Sequence, residues 1–392
     1  MAVAILAGSG LLFWNPFARN PAEPAPLLLP PSVSQPADAA PTATSFGVAD
    51  ALPRQLSDEA FRKMISEFSE PAGYFKYENF LSNEKSYQEP IPRLTKIAKA
   101  GGVYLGVGPE QNFTYIAALR PQMAFVIDVR RQNMLELLMY KALFETAANR
   151  ADFVSLLFSR KRPAGLDESA TAEELFDAFG KVRQEHELFE ENLTRMKKRL
   201  ALTFDDAHTL DRVYSVFYSV GPSLNYASNS PPYSPAPSGP TYEELMTLTD
   251  AEGHNWSFLA TESNYRVVRE MHQKNLIVPL VGDFAGPKAI RTVGRYLKDH
   301  KANVSAFYLS NVEMYILPSQ EWKSFCTNVA ALPVDASSMF IRFVLAGYAQ
   351  ALPATPYPWS MSTSVVSPMI DVLTGVVKGY PPSYYDLLHA SR

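Results

Sequence analysis

Three short segments carry residue types that could grip a small ligand. In "VYLGVGPEQ", Gly106 and Gly108 form a turn after an apolar stretch. Glycines at such a turn let the backbone bend tightly and approach a ligand, while the following helix N-terminus offers free N–H groups. Asp128 ends the next apolar stretch, "AFVID", 22 positions after Gly106 (128 minus 106). An acid at that place can hold the hydroxyls of a ribose. The third glycine of a dinucleotide fingerprint is absent, because Asn112 and Phe113 follow. The same turn therefore also reads as a plain strand–helix corner.

Two further segments would share a rim with that turn. "NLIVPLVGDFAGP" puts Asp283 just past a buried strand, at the carboxyl edge where open α/β sheets bind ligands, although an acid shortly before Pro287 and a helix also reads as an N-cap. "AFYLSNVEMYI" brings Tyr308, Ser310, Asn311 and Glu313 out of an apolar strand. These groups could orient a substrate that accepts a chemical group, or they could serve only the turn. No single residue presents itself as a catalytic acid, base or nucleophile.

Other chemistries find less support. The six histidines show no metal-ligand spacing, so no metal site is expected. Neither a Gly-x-Ser-x-Gly elbow nor a Walker-type loop is present. The single cysteine, Cys326, sits in the apolar helical stretch "WKSFCTNVAAL" and reads as core. A formal net charge of -4 gives no field to draw in nucleic acid, and the basic run Arg160, Lys161, Arg162 is too short to be its footprint.

Positioning these residues requires a framework, and the patterning supplies one. Apolar strands are expected at Val103–Val107, Ala124–Val129, Leu276–Val281, Val304–Leu309 and Met339–Leu345. Helices fall between them, at Gln111–Leu119, from Arg131 onward, at Tyr265–Lys274, Lys288–Asp299 and Gln320–Ala330. This alternation predicts an α/β fold of Rossmann-like type, a mainly parallel sheet with helices on both faces. Residues from about 165 to 260 interrupt it after the second strand. They read as a helical insertion ending in the Ser/Pro stretch "SNSPPYSPAPSGP" and its flank.

The first 19 residues include an apolar run too short to span a bilayer but of signal-peptide length. Residues 20–55 are largely Pro/Ala-rich and read as a linker. The globular domain is expected over 56–392, with Ser57 capping its first helix. Export to the periplasm, with a membrane tether through the N-terminus as one form of it, follows from such a leader. A cytoplasmic protein with an unstructured leader is the alternative.

"YLGVGPEQ", the acid of "FVIDVRR", "VPLVGDFAGP" and "FYLSN" occur in the order of the nucleotide-site motifs of Rossmann-like S-adenosylmethionine-dependent methyltransferases, which this chain resembles. It also resembles an uncharacterised, often exported bacterial family of that fold, over about Leu56 to Leu345. The resemblance implies S-adenosylmethionine as cofactor, with Gly106 and Gly108 facing its methionine moiety, Asp128 the ribose and Asp283 the adenine amine. Glu110 would stand in the same pocket, where such enzymes usually carry a third glycine, and Tyr104 where they usually carry an acid. Methyl transfer to a small-molecule or envelope-associated acceptor is the activity implied, with Tyr308, Ser310, Asn311 and Glu313 near the acceptor. An exported binding or scaffold protein with a degenerate cofactor site is the alternative.

Overall fold

The structure is a computed structural model that describes residues 51–229, 239–317, 319–349, 362–371, 384, 387 and 388. The chain divides into the units Met1–Val48 and Ala49–Arg392, so the leader and most of the linker lie outside the described residues, as does the bulk of the Ser/Pro stretch.

Ser57 caps α1 (Asp58–Phe68) by accepting from the Ala60 amide at 3.1 Å, and a loop-rich stretch leads to α2 (Ile91–Ile97). The first alternating unit is β1 (Val103–Gly106), α3 (Gln111–Leu119) and β2 (Met123–Asp128). Among the described residues seven α-helices, with a 3-10 turn at Gly221–Ser223, then separate β2 from β3. They are α4 (Arg131–Thr146), α5 (Arg150–Phe158), α6 (Ala172–Gly180), α7 (His186–Leu200), α8 (Phe204–Val220), α9 (Tyr242–Thr247) and α10 (Glu262–Gln273). The alternation resumes with β3 (Ile277–Val281), α11 (Ala289–Asp299), β4 (Val304–Ser310), α12 (Glu313–Ile316), α13 (Glu321–Ala330), β5 (Met339–Val344), α14 (Ala346–Ala349) and β6 (Thr363–Pro368).

The six strands form one open sheet in the order β3-β2-β1-β4-β5-β6. The first five are parallel, and β6 runs antiparallel to β5. β6 was not expected. Its sequence, TSVVSP, offers two β-branched apolar residues among serines, and it is a strand because the open edge of β5 supplies a ladder partner. Pro279 lies in β3, at the opposite edge, where its missing N–H costs no ladder bond. That edge is covered by the segment after α1: the Glu70 amide donates to Val281 O at 2.8 Å and the Val281 amide donates to Ser69 Oγ at 3.1 Å.

Side-chain alternation divides the apolar residues between two faces. Val103, Leu105, Phe125, Ile127, Val278, Leu280 and Phe307 pack with α1, α11 and α13, where Cys326 is buried. Tyr104, Ala124, Val126, Ile277, Ala306 and Tyr308 pack with α2, α3 and α10, and the same cluster runs on through α5 to α9. The inserted helices thus extend the sheet's own core rather than enclosing a separate one. Their starts are set locally: Thr171 with Glu174 and Thr241 with Glu244 form reciprocal capping boxes.

Candidate functional site

The strand order reverses between β1 and β4, and in open α/β sheets ligands bind in the crevice beyond the strand ends at such a place. Register puts the predicted residues around it. Gly106 is level with Val126 and Asp128 with Val281, so Gly108, Asp128 and Asp283 emerge in succession along the carboxyl edge of three neighbouring strands. Ser310 emerges from β4, level with Arg342 of β5.

The two glycines do different work. A Cβ on Gly106 would lie 1.9 Å from Asn112 Oδ1 and 2.9 Å from the Tyr104 hydroxyl, so this glycine makes room for the protein's own side chains. Asn112 closes the turn from above: its Nδ2 donates to Val107 O, Gly108 O and Pro109 O, and the Tyr104 hydroxyl donates to its Oδ1 at 2.9 Å. Gly108 has φ of 77°, a left-handed conformation that favours glycine, and nothing lies within 4 Å of where its Cβ would point. The side of Gly108 where a Cβ would point faces open space, while its carbonyl accepts from Asn112 and Asn133.

Asp128 is buried and paired. The Arg130 amide and Nε donate to Oδ1 at 2.8 and 3.0 Å, and Nη2 donates to Oδ2 at 2.9 Å. Oδ2 accepts that one bond and retains an acceptor position. Arg130 also ties down the loop above the rim, donating through Nη1 to Tyr77 O and to Asn79 Oδ1. Half-buried rings on that loop and beside it form a row: Phe75 with Tyr77 at 5.8 Å, Phe75 with Tyr315 at 5.5 Å, and Tyr77 with Tyr226 at 5.9 Å between centroids.

Asp283 makes the local bond expected of a turn acid, accepting from the Ala285 amide at 2.8 Å. The N-terminus of α11 is capped instead by Glu70, whose carboxylate accepts from the Lys288 and Ala289 amides at 2.7 and 2.6 Å. A side chain on Gly286 would collide with it. Glu70 was not anticipated, because a cap that arrives from more than 200 residues away has no local signature.

Tyr308 and Ser310 converge on Glu84, a residue of the long loop before α2. The Tyr308 hydroxyl donates to Glu84 Oε1 at 2.7 Å, Ser310 Oγ donates to the same atom, and Gln111 Nε2 donates to Oε2 at 3.0 Å. Burial pushes the Glu84 carboxyl up while these three donors pull it down. Ser310 itself adopts φ of 51°. Asn311 is half-buried at the mouth, whereas Glu313 is spent in a buried ion pair, accepting from Arg342 Nε at 2.5 Å and Nη2 at 3.0 Å. Glu84 escaped the sequence reading because its loop has no periodicity; loop length was the only hint that this stretch lines a site.

Glu110 and Glu136 add two more buried carboxyls. Glu110 accepts from the Ser82 amide at 3.2 Å, and burial with the Glu84 charge nearby pushes it up to about 8. Glu136 on α4 is held well above the carboxylate range by burial, then by Glu110. Away from the rim, Arg162 pairs with Asp152 and Arg160 donates to Phe179 O, so both serve the insertion. Among the described residues no helix is long and apolar enough to cross a membrane.

A comparison with curated proteins returned no match. Residues 79–373, three quarters of the chain and all of the sheet, match a family described as "Domain of unknown function (DUF7790)". The span begins at the loop that carries Glu84 and ends beyond β6, so it takes in the framework and the rim together, and the chain belongs to that family.

Proposed function

We propose that the chain is a methyltransferase-like protein that binds S-adenosylmethionine at the β1–β4 crevice and passes its methyl group to a small-molecule or envelope-associated acceptor. What supports this reading is the placing of Gly108, Asp128 and Asp283 along one rim, beside a row of half-buried aromatic rings suited to a planar base. The cofactor would supply an electrophilic methyl group on a cationic sulfur. The chain's part is then positioning rather than proton relay, and positioning needs no conspicuous catalytic side chain.

Asp128 would hold a ribose hydroxyl through the acceptor position left on Oδ2, with Arg130 fixing the carboxylate's orientation. The open side of Gly108, where a Cβ would point, would pass along the ligand. Asp283 would meet the adenine amine, and Asn311, beside the Tyr308–Ser310–Glu84 network, would contact the acceptor. A leader of signal length favours a periplasmic or exported protein.

The second reading, an exported binding or scaffold protein with a closed cofactor site, is favoured by Asn112 over Gly106 and by the bidentate hold of Arg130 on Asp128. Calorimetry of the full chain with S-adenosylmethionine and S-adenosylhomocysteine separates the two. Because Asp128→Ala alone would strand the Arg130 guanidinium, the variant to use is Asp128→Ala with Arg130→Met. A lost hydrogen bond to a charged group, about 1.5 to 3 kcal/mol, should weaken binding at least about tenfold. Gly108→Val should weaken it further. No heat with either ligand in the wild type refutes cofactor binding and leaves the binding protein.

A further inference from the structure

Among the described residues the non-glycine positions with left-handed backbone angles are Arg120, Ser159, Ala201, Asn275, Lys301 and Ser310. All but the last stand at the C-terminal ends of α3, α5, α7, α10 and α11, where a left-handed residue closes a helix. Ser310 has no helix behind it. It ends β4, where the register with β5 shifts between Tyr308 and Ser310, so an irregular strand end and a φ of 51° together re-aim this one side chain.

The result is a serine–carboxylate pair. Ser310 Oγ donates to Glu84 Oε1, the Tyr308 hydroxyl donates to the same oxygen at 2.7 Å, and Gln111 Nε2 donates to Oε2 at 3.0 Å. None of these partners is a cation, and all three present hydrogens to the carboxylate, which fixes it as an acceptor aimed at the serine. The backbone amide of Asn311, the residue after the serine, has no hydrogen-bond partner among the described residues. Ser310 and Asn311 are half-buried and reach solvent, whereas Glu84 is 2% exposed. Register sets Leu105 opposite Phe307, so the Gly108 turn leaves β1 beside this end of β4.

We propose that Ser310 is a nucleophile for acyl transfer, with Glu84 as its base, the Asn311 amide as donor to the carbonyl oxygen, and a carboxylic ester as substrate. A serine on a strained turn at a strand end, followed by an amide free to bind an oxyanion, is the arrangement by which serine hydrolases expose their nucleophile. The flanking glycines of that elbow are absent, and the irregular end of β4 makes the turn in their place. Oγ attacks the ester carbonyl carbon as its proton passes to Glu84 Oε1. The carbon–oxygen bond to the alcohol breaks, and the departing oxygen takes that proton from Glu84. Water then attacks the acyl-serine and gives a proton to Glu84, which returns it to Oγ as the acyl–Oγ bond breaks; the sum is ester and water to acid and alcohol. Tyr315, four positions on from Asn311, meets Phe75 at 5.5 Å, so the ring row beside the serine favours an aromatic or apolar ester.

The proposal goes beyond the cofactor reading and can fail or hold without it, since the reaction uses no S-adenosylmethionine. The full chain is treated with diisopropyl fluorophosphate, from which Oγ would displace fluoride, and adducts are located by intact mass and peptide mapping. Hydrolysis of 4-nitrophenyl butyrate is followed in parallel by release of nitrophenolate. One adduct, on Ser310, is expected. Ser310→Gly, which suits the left-handed angle, should abolish both labelling and hydrolysis. Glu84→Gln should slow labelling at least about a hundredfold. Tyr308→Phe, which removes one donor and keeps the base, should stay within about tenfold of the wild type. Ser219→Ala, at an exposed position of α8, should label as the wild type does. No adduct at millimolar reagent, an adduct only on another residue, labelling that persists in Ser310→Gly, or a folded Glu84→Gln that labels at the wild-type rate overturns the assignment. Should Glu84→Gln fail to fold, the mapped adduct and Ser310→Gly decide it.

Discussion

Glu110→Gln should stabilise the protein, and more so at higher pH. The carboxyl is buried, makes one bond through Oε1 to the Ser82 amide, and leaves Oε2 unpaired. Its folded pKa is raised from the ordinary 4.5 to about 8, so the folded state holds a proton that the unfolded state gives up. Below about pH 4.5 both states are protonated and ionisation makes no difference to stability. Between there and pH 8 the unfolded chain ionises first, and stability falls as pH rises. At about 1.4 kcal/mol for each pH unit the span amounts to roughly 5 kcal/mol, and relaxation with water entry around the charged group lowers the expectation to about 3 to 5 kcal/mol. Glutamine keeps the acceptor for Ser82 and does not titrate. Urea unfolding of both proteins at pH 5, 6.5, 8 and 9 should give nearly equal stabilities at pH 5 and a gap that widens to several kcal/mol by pH 8. A gap that stays constant across this range would show that Glu110 is not protonated in the folded state, and the burial argument would fail.

Glu70→Ala should cost about 1 to 2 kcal/mol, since it leaves the Lys288 and Ala289 amides at the start of α11 without their carboxylate; Glu70→Gln should cost less, and thermal melts at two salt concentrations check both. Glu313→Ala should cost about 3 to 5 kcal/mol by stranding a fully buried Arg342, and pairing Glu313→Leu with Arg342→Met should restore most of it, as denaturant midpoints of the single and double variants would report.

Much of the framework could be read from sequence, because its strands and helices carry their own periodicity. The helix Gln111–Leu119 was placed to the residue, and the five parallel strands to within one or two positions, since a fully buried strand between two amphipathic helices has few other ways to fold. The strand-end positions of Gly108, Asp128 and Asp283 followed from the same reasoning. Chain order by itself left open which strands are neighbours, and the order β3-β2-β1-β4-β5-β6 is what brings β4 beside β1 and makes a crevice between them. The partners of the site residues were equally out of reach. Arg130 is only two residues from Asp128, yet the ion pair depends on how the chain turns after β2; Glu84 reaches Tyr308 across 224 positions, and Glu70 caps a helix 219 positions away. A side chain's periodicity states whether it is buried, and so sequence determined where the polar residues of the rim would stand. Which of them are satisfied, and which keep one oxygen unpaired as Glu110 and Glu136 do, depends on contacts between distant segments, and those exist only once the sheet has closed over its helices.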